Sequence, residues 1–347
     1  MRADSRKRRG PGLRRALGLV LLGVSGLVAM DAWRQLHAPL NVVQPTTFEL
    51  RPRQAFEALL HELDAAGRFR NGRQPFYLSL YARWSRADSR LRAGEYALTP
   101  GTTPLALLRE LLAGKPVLHE LRLTEGWRFD QAWQAIQSDA NLAHTLGGVG
   151  RGELMRALGL PAGDPEGQFF PDTYRFPKGT TDADFLRQAY QAMQKVLAEE
   201  WAVRAANLPY DTPGQALILA SLVEKETALA KERPEIAGVF VRRLMLGMRL
   251  QTDPSVIYGL GSAFDGNLRT QDLRRDTPYN TYTRAGLPPT PICLAGRESI
   301  HAALHPDGGN ALYFVARGDG SHQFSDTLEA HDAAVRRYQI EPHHRHE

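Results

Sequence analysis

The sequence predicts an α+β protein in which an apolar N-terminal helix precedes a small unit and a larger domain. Its 347 residues exceed what one hydrophobic core usually holds and indicate about two domains. A basic and then apolar stretch opens the chain. The remainder alternates helical periodicities with short strands and turn signals.

The net charge of +5 is concentrated at the N-terminus. Seven basic residues and Asp4 give the tail before residue 16 a charge of +6, so the rest of the chain carries about −1. The basic character therefore belongs to the tail and argues against a nucleic-acid partner for the folded part. Cys293 is the only cysteine, which excludes an intrachain disulfide and a cysteine zinc cluster.

An uncharged apolar run, Ala16 to Met30, follows the tail. Such a helix spans about 22 Å, and extension through Trp33 brings it toward the roughly 30 Å of a hydrocarbon core. A cleaved signal peptide has the same layout, with Ala29 as a small residue for the peptidase. We favour an uncleaved anchor over residues 16–35, because no A-x-A site follows and Trp33 suits a membrane interface. The positive-inside rule then keeps the arginines in the cytoplasm.

A small α+β unit is predicted to begin near residue 42. Gln54 to Leu63 has helical periodicity, and Pro104 to Leu112 begins with a proline suited to a first turn. Between them, Leu91 to Leu98 predicts a strand that ends in a turn. Such a unit either binds a polymer or spaces the next domain from the membrane.

The segment Glu166 to Tyr174 combines aromatic residues with an aspartate and a tyrosine hydroxyl. Flat apolar rings with hydrogen-bonding groups at their edge suit a sugar. The alternative is a buried loop that packs on the core.

The next helix is predicted to carry a carboxyl group on an apolar face. Leu219, Leu222 and Val223 share one face, and Glu226 continues it while Glu224 projects away. Burial among aliphatic side chains raises the pKa of a carboxyl group, so Glu226 is a candidate general acid. The alternative is that the helix ends near Glu226 and both glutamates are solvated.

A further helix opens at Arg233 and carries Arg243 near its end. A stretch dense in hydrogen-bonding side chains follows, which includes Gln251 and Tyr258. Capping of a helix that starts near Pro254 explains Thr252, Asp253 and Ser255. Gln251 has no such role and is a candidate for ligand binding.

The segment Thr277 to Thr283 is polar and aromatic, and Gly286 to Ile292 is rich in proline. Proline-rich chain is stiff and extended, so it can present a neighbouring loop along a cleft. The side chains so presented are Tyr279, Asn280 and Tyr282. They are equally compatible with an ordinary surface loop.

The chain ends with a predicted hairpin and helix. Leu312–Arg317 and His322–Ser325 flank a Gly-Asp-Gly turn, and a helix from Asp326 is capped reciprocally by Glu329.

Histidines near the end of the chain do not predict a site. His322 and His331 can titrate near neutral pH, but neither has a nucleophile beside it in the sequence. Residues 341–347 contain three histidines and are expected to form a solvated tail and not a metal site.

Several motifs together resemble the YceG-like (MltG) family of endolytic murein transglycosylases. The motifs, which occur in the family's order, are Leu219–Ala228, Met248–Gly259, Tyr279–Thr283, Gly286–Ile292 and Leu312–Val315. The resemblance extends over nearly the whole chain, including the anchor and the segment Glu166 to Tyr174.

The resemblance implies an α+β catalytic domain behind a LysM-like subdomain. It divides the chain into a basic cytoplasmic tail 1–15, an anchor 16–35, a LysM-like subdomain 42–120, a catalytic domain 121–340 and a tail 341–347. Family members cleave the β-1,4 bond between N-acetylmuramic acid and N-acetylglucosamine without water and leave a 1,6-anhydro end. The family's catalytic glutamate corresponds to Glu226, and no cofactor or metal is expected.

The resemblance also implies a location and partners. The catalytic domain would lie outside the inner membrane, on the peptidoglycan side, with penicillin-binding synthases as possible neighbours. Residues assigned to substrate binding as a hypothesis are Gln251, Tyr258, Tyr279, Asn280, Tyr282 and Arg243. A hydrolase that uses Glu226 with Asp253 or Glu224, and a noncatalytic wall-binding scaffold, are the alternatives.

Overall fold

The computed structural model describes residues 11–51 and 53–340. The C-terminal tail predicted for residues 341–347 and most of the predicted basic tail lie outside them. The chain forms two compact units, of which the first extends to His119 and includes Pro177–Gly179, and the second comprises the remaining described residues.

The first unit combines one long N-terminal helix with three shorter helices and two paired strands. In chain order these are α1 Pro11–His37, β1 Thr46–Leu50, α2 Phe56–Ala65, α3 Arg73–Trp84, β2 Gly94–Leu98 and α4 Pro104–Ala113. The strands β1 and β2 are antiparallel, with Thr46 opposite Leu98 and Phe48 opposite Tyr96. The predicted helices lie at α2 and α4, and the predicted strand is shortened to β2.

The long helix α1 contains the predicted anchor. Its stretch Leu19–His37 has a mean hydropathy of 1.3, and 6% of it is buried. The whole helix of 27 residues is about 40 Å long at 1.5 Å per residue. The predicted apolar run is thus part of a longer helix, which is consistent with a single-pass membrane anchor.

The second unit is mainly helical. Its elements are β3 Leu118–Arg122, which starts at the boundary, α5 Phe129–Ser138, α6 Arg151–Ala157, β4 Thr173–Pro177, α7 Asp182–Ala202, α8 Pro213–Glu226, α9 Arg233–Met245, α10 Asp253–Leu260, α11 Thr270–Arg274, α12 Arg297–Leu304, β5 Tyr313–Ala316, β6 His322–Ser325 and α13 Leu328–Val335. Strand β3 pairs with β4, and β5 pairs with β6. One hydrophobic core surrounds α8, α9 and α12, and a second lies around α5, α6 and α7.

Helix α8 lies in the middle of the first of these cores. Thr212 caps its start by accepting a hydrogen bond from the Gln215 backbone N–H, and Pro213 occupies the first turn. Leu217, Leu219, Ala220 and Leu222 are buried, so the helix is apolar nearly all round and not only on one face. Its C-terminal end is therefore where a polar side chain can leave the core.

Two predictions of helix capping are wrong. Thr252 and not Asp253 occupies the N-cap position of α10, and no side-chain hydrogen bond caps that helix. At the other end of the chain, Thr327 caps α13 by accepting from the Ala330 backbone N–H at 3.2 Å, so the predicted Asp326–Glu329 pair is not the cap. In both places several polar residues are adjacent, and tertiary partners decide which of them caps.

The segment Glu166 to Tyr174 forms a buried loop, and the interpretation as a sugar-binding platform is wrong. Phe169 is fully buried and Tyr174 nearly so, and the Tyr174 hydroxyl donates to the Phe170 carbonyl at 2.6 Å. The ring of Phe169 packs against Phe129 and that of Tyr174 against Phe185, while Phe170 is half-buried.

Candidate active site

Glu226 is the last residue of α8. Leu219, Leu222 and Val223 on the preceding turns are buried, as the periodicity predicts. The helix does end at Glu226, as the alternative interpretation expected. Its carboxylate is nevertheless not solvated like a surface glutamate, because protein atoms surround it and only part of it faces an open cleft.

The residues that follow α9 supply the direct partners of Glu226. The Thr252 hydroxyl donates a hydrogen bond to Glu226 Oε1. Thr252 is itself fixed, because its backbone N–H donates to Thr281 Oγ1 at 3.0 Å. The next residue, Asp253, accepts a hydrogen bond from the Tyr282 hydroxyl at 2.5 Å. Loop Thr277–Thr283 and the start of α10 thus hold the groups around the carboxyl.

The pKa of Glu226 is raised to about 7, chiefly by burial. The hydrogen bond from Thr252 acts to lower this pKa, and the nearby negative charge of Asp253 acts to raise it. A carboxyl group with this pKa is divided between its acid and its anion near neutral pH. It can therefore donate a proton in one step and accept one in the next.

Gln251 lies beside this carboxyl group in an unusual backbone conformation. Its φ of 52° is in the left-handed region, and its backbone N–H donates to the Thr281 carbonyl at 3.1 Å. The buried Arg243 guanidinium donates to Gln251 Oε1 at 3.2 Å and to the Leu250 carbonyl at 2.9 Å. Arg243 therefore orients the Gln251 side chain and also fixes the turn that carries it.

These residues line an open cleft of about 500 Å³. One wall comes from Glu226, Arg243, Gln251, Asp253 and Tyr282. The opposite wall comes from the β5–β6 hairpin and α13, through Tyr313, Phe314, Val315, Ala316, His322, Leu328, His331, Asp332 and Val335. A space of this size and mixed polarity is typical of a ligand site.

The two histidines that the sequence left without a role both line the cleft. His322 Nδ1 lies 2.8 Å from Glu232 Oε2. His331 stacks on Tyr313 with ring centroids 5.2 Å apart, and burial lowers its pKa. The hairpin and α13 bring them there from about 100 residues beyond Glu226, a separation at which sequence spacing carries no signal.

The structure does not bring three of the predicted substrate-binding residues to this cleft. Asn280 is fully buried, and its amide donates to the carbonyls of Asp272, Leu273 and Arg275. Tyr279 donates to or accepts from Thr290 Oγ1 at 2.8 Å. These side chains brace the loop that carries Tyr282.

The third of these residues, Tyr258, belongs to a separate polar cluster on α10. Its hydroxyl donates to the buried Glu166 carboxylate at 3.0 Å. Glu166 also accepts from Arg151 Nη2 at 3.1 Å and from the Phe129 backbone N–H at 2.8 Å. Burial raises the pKa of Glu166, while these three donors oppose the rise. The cluster links α5, α6 and α10, and no pattern in the sequence pairs its members.

Glu224, the other candidate carboxyl group on α8, is held by structural contacts. Its side chain is 7% exposed, accepts from the Gly296 backbone N–H at 3.0 Å and pairs with Arg233 at 3.6 Å. It does not line the cleft. Two residues along a helix correspond to a turn of about 200°, which explains why the two glutamates meet different partners.

Among the described residues, Glu200, His301 and His305 bring possible metal ligands within 4.8 Å of one another. Glu200 is already engaged, with Arg297 Nη1 and His301 Nδ1 each 2.8 Å from its oxygens. This arrangement accounts for the cluster as an ion-pair link between α7 and α12, away from the cleft.

The fold and the site define an α+β protein with a protonatable carboxyl group in an open, polar cleft. The chain belongs to the YceG-like family, whose model matches residues 48–337. This confirms the family resemblance that the motifs indicated.

The chain is also similar to individual relatives. It is 39% identical to the endolytic murein transglycosylase of Bacillus subtilis (strain 168) over 173 residues. The matched region covers 50% of this chain and 48% of that protein. It is 30% identical over 307 residues to the endolytic murein transglycosylase of Streptococcus pneumoniae serotype 2, with 79% and 54% covered. The chain thus spans about half the length of these relatives.

A crystal structure of a yceG-like protein from Listeria monocytogenes is similar in fold. The superposition has a TM-score of 0.50 at 27% identity and covers 84% of this chain and 98% of that one. The likeness in fold therefore extends over most of the chain.

Proposed function

We propose that this protein is a membrane-anchored lytic transglycosylase that cleaves glycan strands of peptidoglycan internally. The observation that carries the proposal is the Glu226 carboxyl group, whose pKa is raised to about 7 at the edge of an open cleft. The names of the relatives, endolytic murein transglycosylases, support the same substrate and reaction.

In the proposed reaction Glu226 acts first as an acid and then as a base. Its proton passes to the glycosidic oxygen between N-acetylmuramic acid and N-acetylglucosamine as the C1–O bond breaks and an oxocarbenium-like centre forms. The resulting carboxylate then takes the proton from the C6 hydroxyl of the same muramic acid, whose oxygen bonds to C1. The product is a 1,6-anhydro end, and Glu226 regains its proton without water.

We assign the positioning of the glycan to the polar wall of the cleft. Gln251 and Tyr282 present hydrogen-bonding groups beside Glu226, and Arg243 holds Gln251 in place. The roles of Tyr258, Tyr279 and Asn280 are indirect in this proposal, through the loop and helix that they brace. Gln251→Ala should lower turnover or weaken glycan affinity, and unchanged values of both would remove Gln251 from the site.

The test is mass spectrometry of uncrosslinked glycan strands after incubation with the purified full chain in detergent. Wild type, Glu226→Gln and Glu224→Gln are compared, each after its fold has been verified by circular dichroism. New 1,6-anhydro ends made by wild type and Glu224→Gln, but not by Glu226→Gln, are the expected result. Cleavage that survives in Glu226→Gln and is lost in Glu224→Gln would transfer the role to Glu224.

A glycoside hydrolase is the second candidate, because Asp253 offers a second carboxylate in the same cleft. A hydrolase would use this group to activate water or attack carbon. Its product would be a reducing end and not an anhydro end, so the same mass spectra distinguish the two reactions. A folded protein that cleaves nothing would favour the wall-binding scaffold.

We also propose where the protein acts. Helix α1 would cross the inner membrane once, with the basic tail in the cytoplasm and the rest of the first unit, together with the second unit, on the peptidoglycan side. The LysM-like assignment of the first unit and the proximity of penicillin-binding synthases remain predictions of the family resemblance. Protease protection of the chain beyond α1 in sealed, inverted inner-membrane vesicles tests this topology.

A further inference from the structure

Helix α3 of the first unit exposes a row of large apolar side chains. Phe76, Leu80 and Trp84 follow one another at intervals of four residues, and 63%, 58% and 81% of their surfaces are exposed. The opposite side of the helix is buried through Leu78 and Ala82. The helix is therefore apolar on its outer side as well as toward the core, which is typical of a surface that meets a nonaqueous partner.

The position of α3 beside α1 indicates what that partner is. Gln74 Nε2 donates to the Ala38 carbonyl at 3.2 Å, and the Tyr77 hydroxyl donates to Asp31 Oδ2 at 3.1 Å. Arg73 Nη1 also donates to Asp31 Oδ1, at 3.1 Å, so the first half of α3 contacts the last two turns of α1. The exposed row begins at Phe76, within this contact region and next to the point where the apolar run of α1 ends.

The residues around this row suit the boundary between lipid and water. Tyr81 on α3 and Trp33 on α1 are also exposed, and both have the ring type that prefers the headgroup layer. Arg86 is exposed just beyond the end of α3, where its charge complements anionic headgroups, while Arg83 pairs with Glu57 at 2.6 Å. Long arginine stems can keep such charges in the headgroup layer while the apolar row lies deeper.

We infer that Phe76, Leu80 and Trp84 form a membrane-docking face, which rests in the interfacial layer of the bilayer that α1 spans. The face begins beside the end of the apolar run of α1 within the same unit, and the partner is the lipid itself. The inference depends on α1 as the anchor and is independent of the chemistry proposed for Glu226. Docking would fix the first unit to the bilayer surface so that it does not swing freely on its anchor.

Nitroxide labels on the full chain in vesicles of phosphatidylethanolamine and phosphatidylglycerol test the inference. Single cysteines replace Leu80 and Trp84 in separate variants, and Ala65→Cys is the matched control. Ala65 is exposed at the end of α2, two residues before Gly67, whose carbonyl accepts from the Asn41 amide. Asn41 lies beyond the end of α1, so position 65 is placed away from the apolar run. Cys293 is fully buried, and wild type carried through the same labelling measures its background. A label at Leu27→Cys reports whether α1 is inserted.

Collisions of each label with oxygen, which partitions into lipid, are compared with collisions with a water-soluble nickel chelate. The labels at positions 80 and 84 should favour oxygen, as the label at 27 does, while the label at 65 should favour the chelate. Equal access of the chelate to positions 65, 80 and 84, with position 27 in lipid, would overturn the docking face alone. Protection of 80 and 84 from both reagents would mean that protein covers the face, and access of the chelate to 27 would remove the anchor on which the inference depends.

A charge substitution checks that the label itself does not create the contact. Leu80→Glu should move the label at position 84 toward the chelate and leave the label at position 65 unchanged. Neither residue belongs to the cleft, so cleavage of free glycan strands should stay at the wild-type rate. An unchanged signal at position 84 in this variant would contradict the docking face.

Discussion

Thr252 and Asp253 act on Glu226 in opposite directions although they are adjacent. The Thr252 hydroxyl donates to the Glu226 carboxylate and stabilises its charged form, which lowers the pKa. The negative charge of Asp253 destabilises the same charged form and raises the pKa. The balance between burial and these two neighbours leaves the carboxyl group half-protonated near neutral pH.

Substitution of each neighbour should therefore move the alkaline limb of the pH profile in a different direction. Thr252→Val removes the donor, so the pKa of Glu226 rises and the limb moves to higher pH. Asp253→Asn removes the charge, so the pKa falls and the limb moves to lower pH. The measurement is kcat/KM for strand cleavage from about pH 5 to about pH 9, since this ratio reports the ionisation of the free enzyme.

Opposite shifts in the two variants would link the limb to Glu226 itself. Shifts of the same sign would mean that another group, such as a cleft histidine, controls the rate. The sequence allowed Glu226 to be predicted from its helical face, but Thr252 was interpreted as a cap. The bond between them joins residues 26 positions apart, and only the packed fold shows it.

At the end of helix α8, Glu224 makes structural contacts, and Glu226 carries the proposed chemical role. Glu224 ties the last turn to the Gly296 backbone and to Arg233. Glu224→Gln breaks the charge pair and should lower the free energy of unfolding by about 1–3 kcal/mol, because it weakens the pairing of a buried arginine. The alkaline limb of the activity profile should stay in place. Denaturant unfolding and the same pH profile measure both effects, and a displaced limb would contradict the division of roles.

Helix α13 provides the far wall of the cleft, and its cap offers a second test. Thr327→Ala removes the hydrogen bond to the Ala330 backbone and should cost about 1 kcal/mol of stability. Fraying of the first turn would displace Leu328 and His331, so KM should rise while the pH limb is unchanged.

The control for this test is Thr181→Ala, which removes the equivalent cap from α7. There Thr181 Oγ1 accepts from the Asp184 backbone N–H at 3.0 Å, and α7 does not line the cleft. A similar loss of stability without a change in KM is expected. Equal increases of KM in both variants would show that general loosening, and not the wall of the cleft, changes substrate binding.

Elements with a strong local signal were predicted well from the sequence. The helical periodicity of α2, the first-turn proline of α4 and the Gly-Asp-Gly turn of the β5–β6 hairpin each determine their structure locally. Capping residues were predicted less well, as at Asp253 and Asp326, because neighbouring polar side chains compete and distant partners decide. The interpretation of the loop from Glu166 to Tyr174 was wrong for a related reason. The sequence does not distinguish aromatic residues that face a sugar from aromatic residues that pack in a core.

For the whole molecule, the sequence predicts an α+β chain with an apolar N-terminal helix, but it does not predict how the cleft is assembled. Several segments build the cleft: the ends of α8 and α9, the stretch Gln251 to Asp253, the loop that carries Tyr282, and the hairpin with α13. Their contacts are long-range, so neither periodicity nor motif spacing records them. This is why His322 and His331 had no assigned role until the fold placed them opposite Glu226.

The raised pKa of Glu226 should also make the stability of the fold depend on pH. The carboxyl group titrates at about 7 in the folded chain against 4.5 for an unperturbed glutamate. Between these values the folded chain holds a proton that the unfolded chain releases, so the contribution of Glu226 to stability is present below pH 4.5 and is lost as pH rises through 7.

Glu226→Gln removes this loss, because glutamine stays neutral and can still accept the hydrogen bond from Thr252. The variant should be more stable than wild type by about 1–3 kcal/mol at pH 8, after a discount for the part of Glu226 that faces water. The difference should shrink toward zero near pH 4.5, the unperturbed value. Denaturant unfolding of both proteins at the two pH values measures it. A variant no more stable than wild type at pH 8 would mean that water solvates the Glu226 carboxylate well. Glu226 would then be ionised near neutral pH and could not supply the proton that the proposed reaction needs.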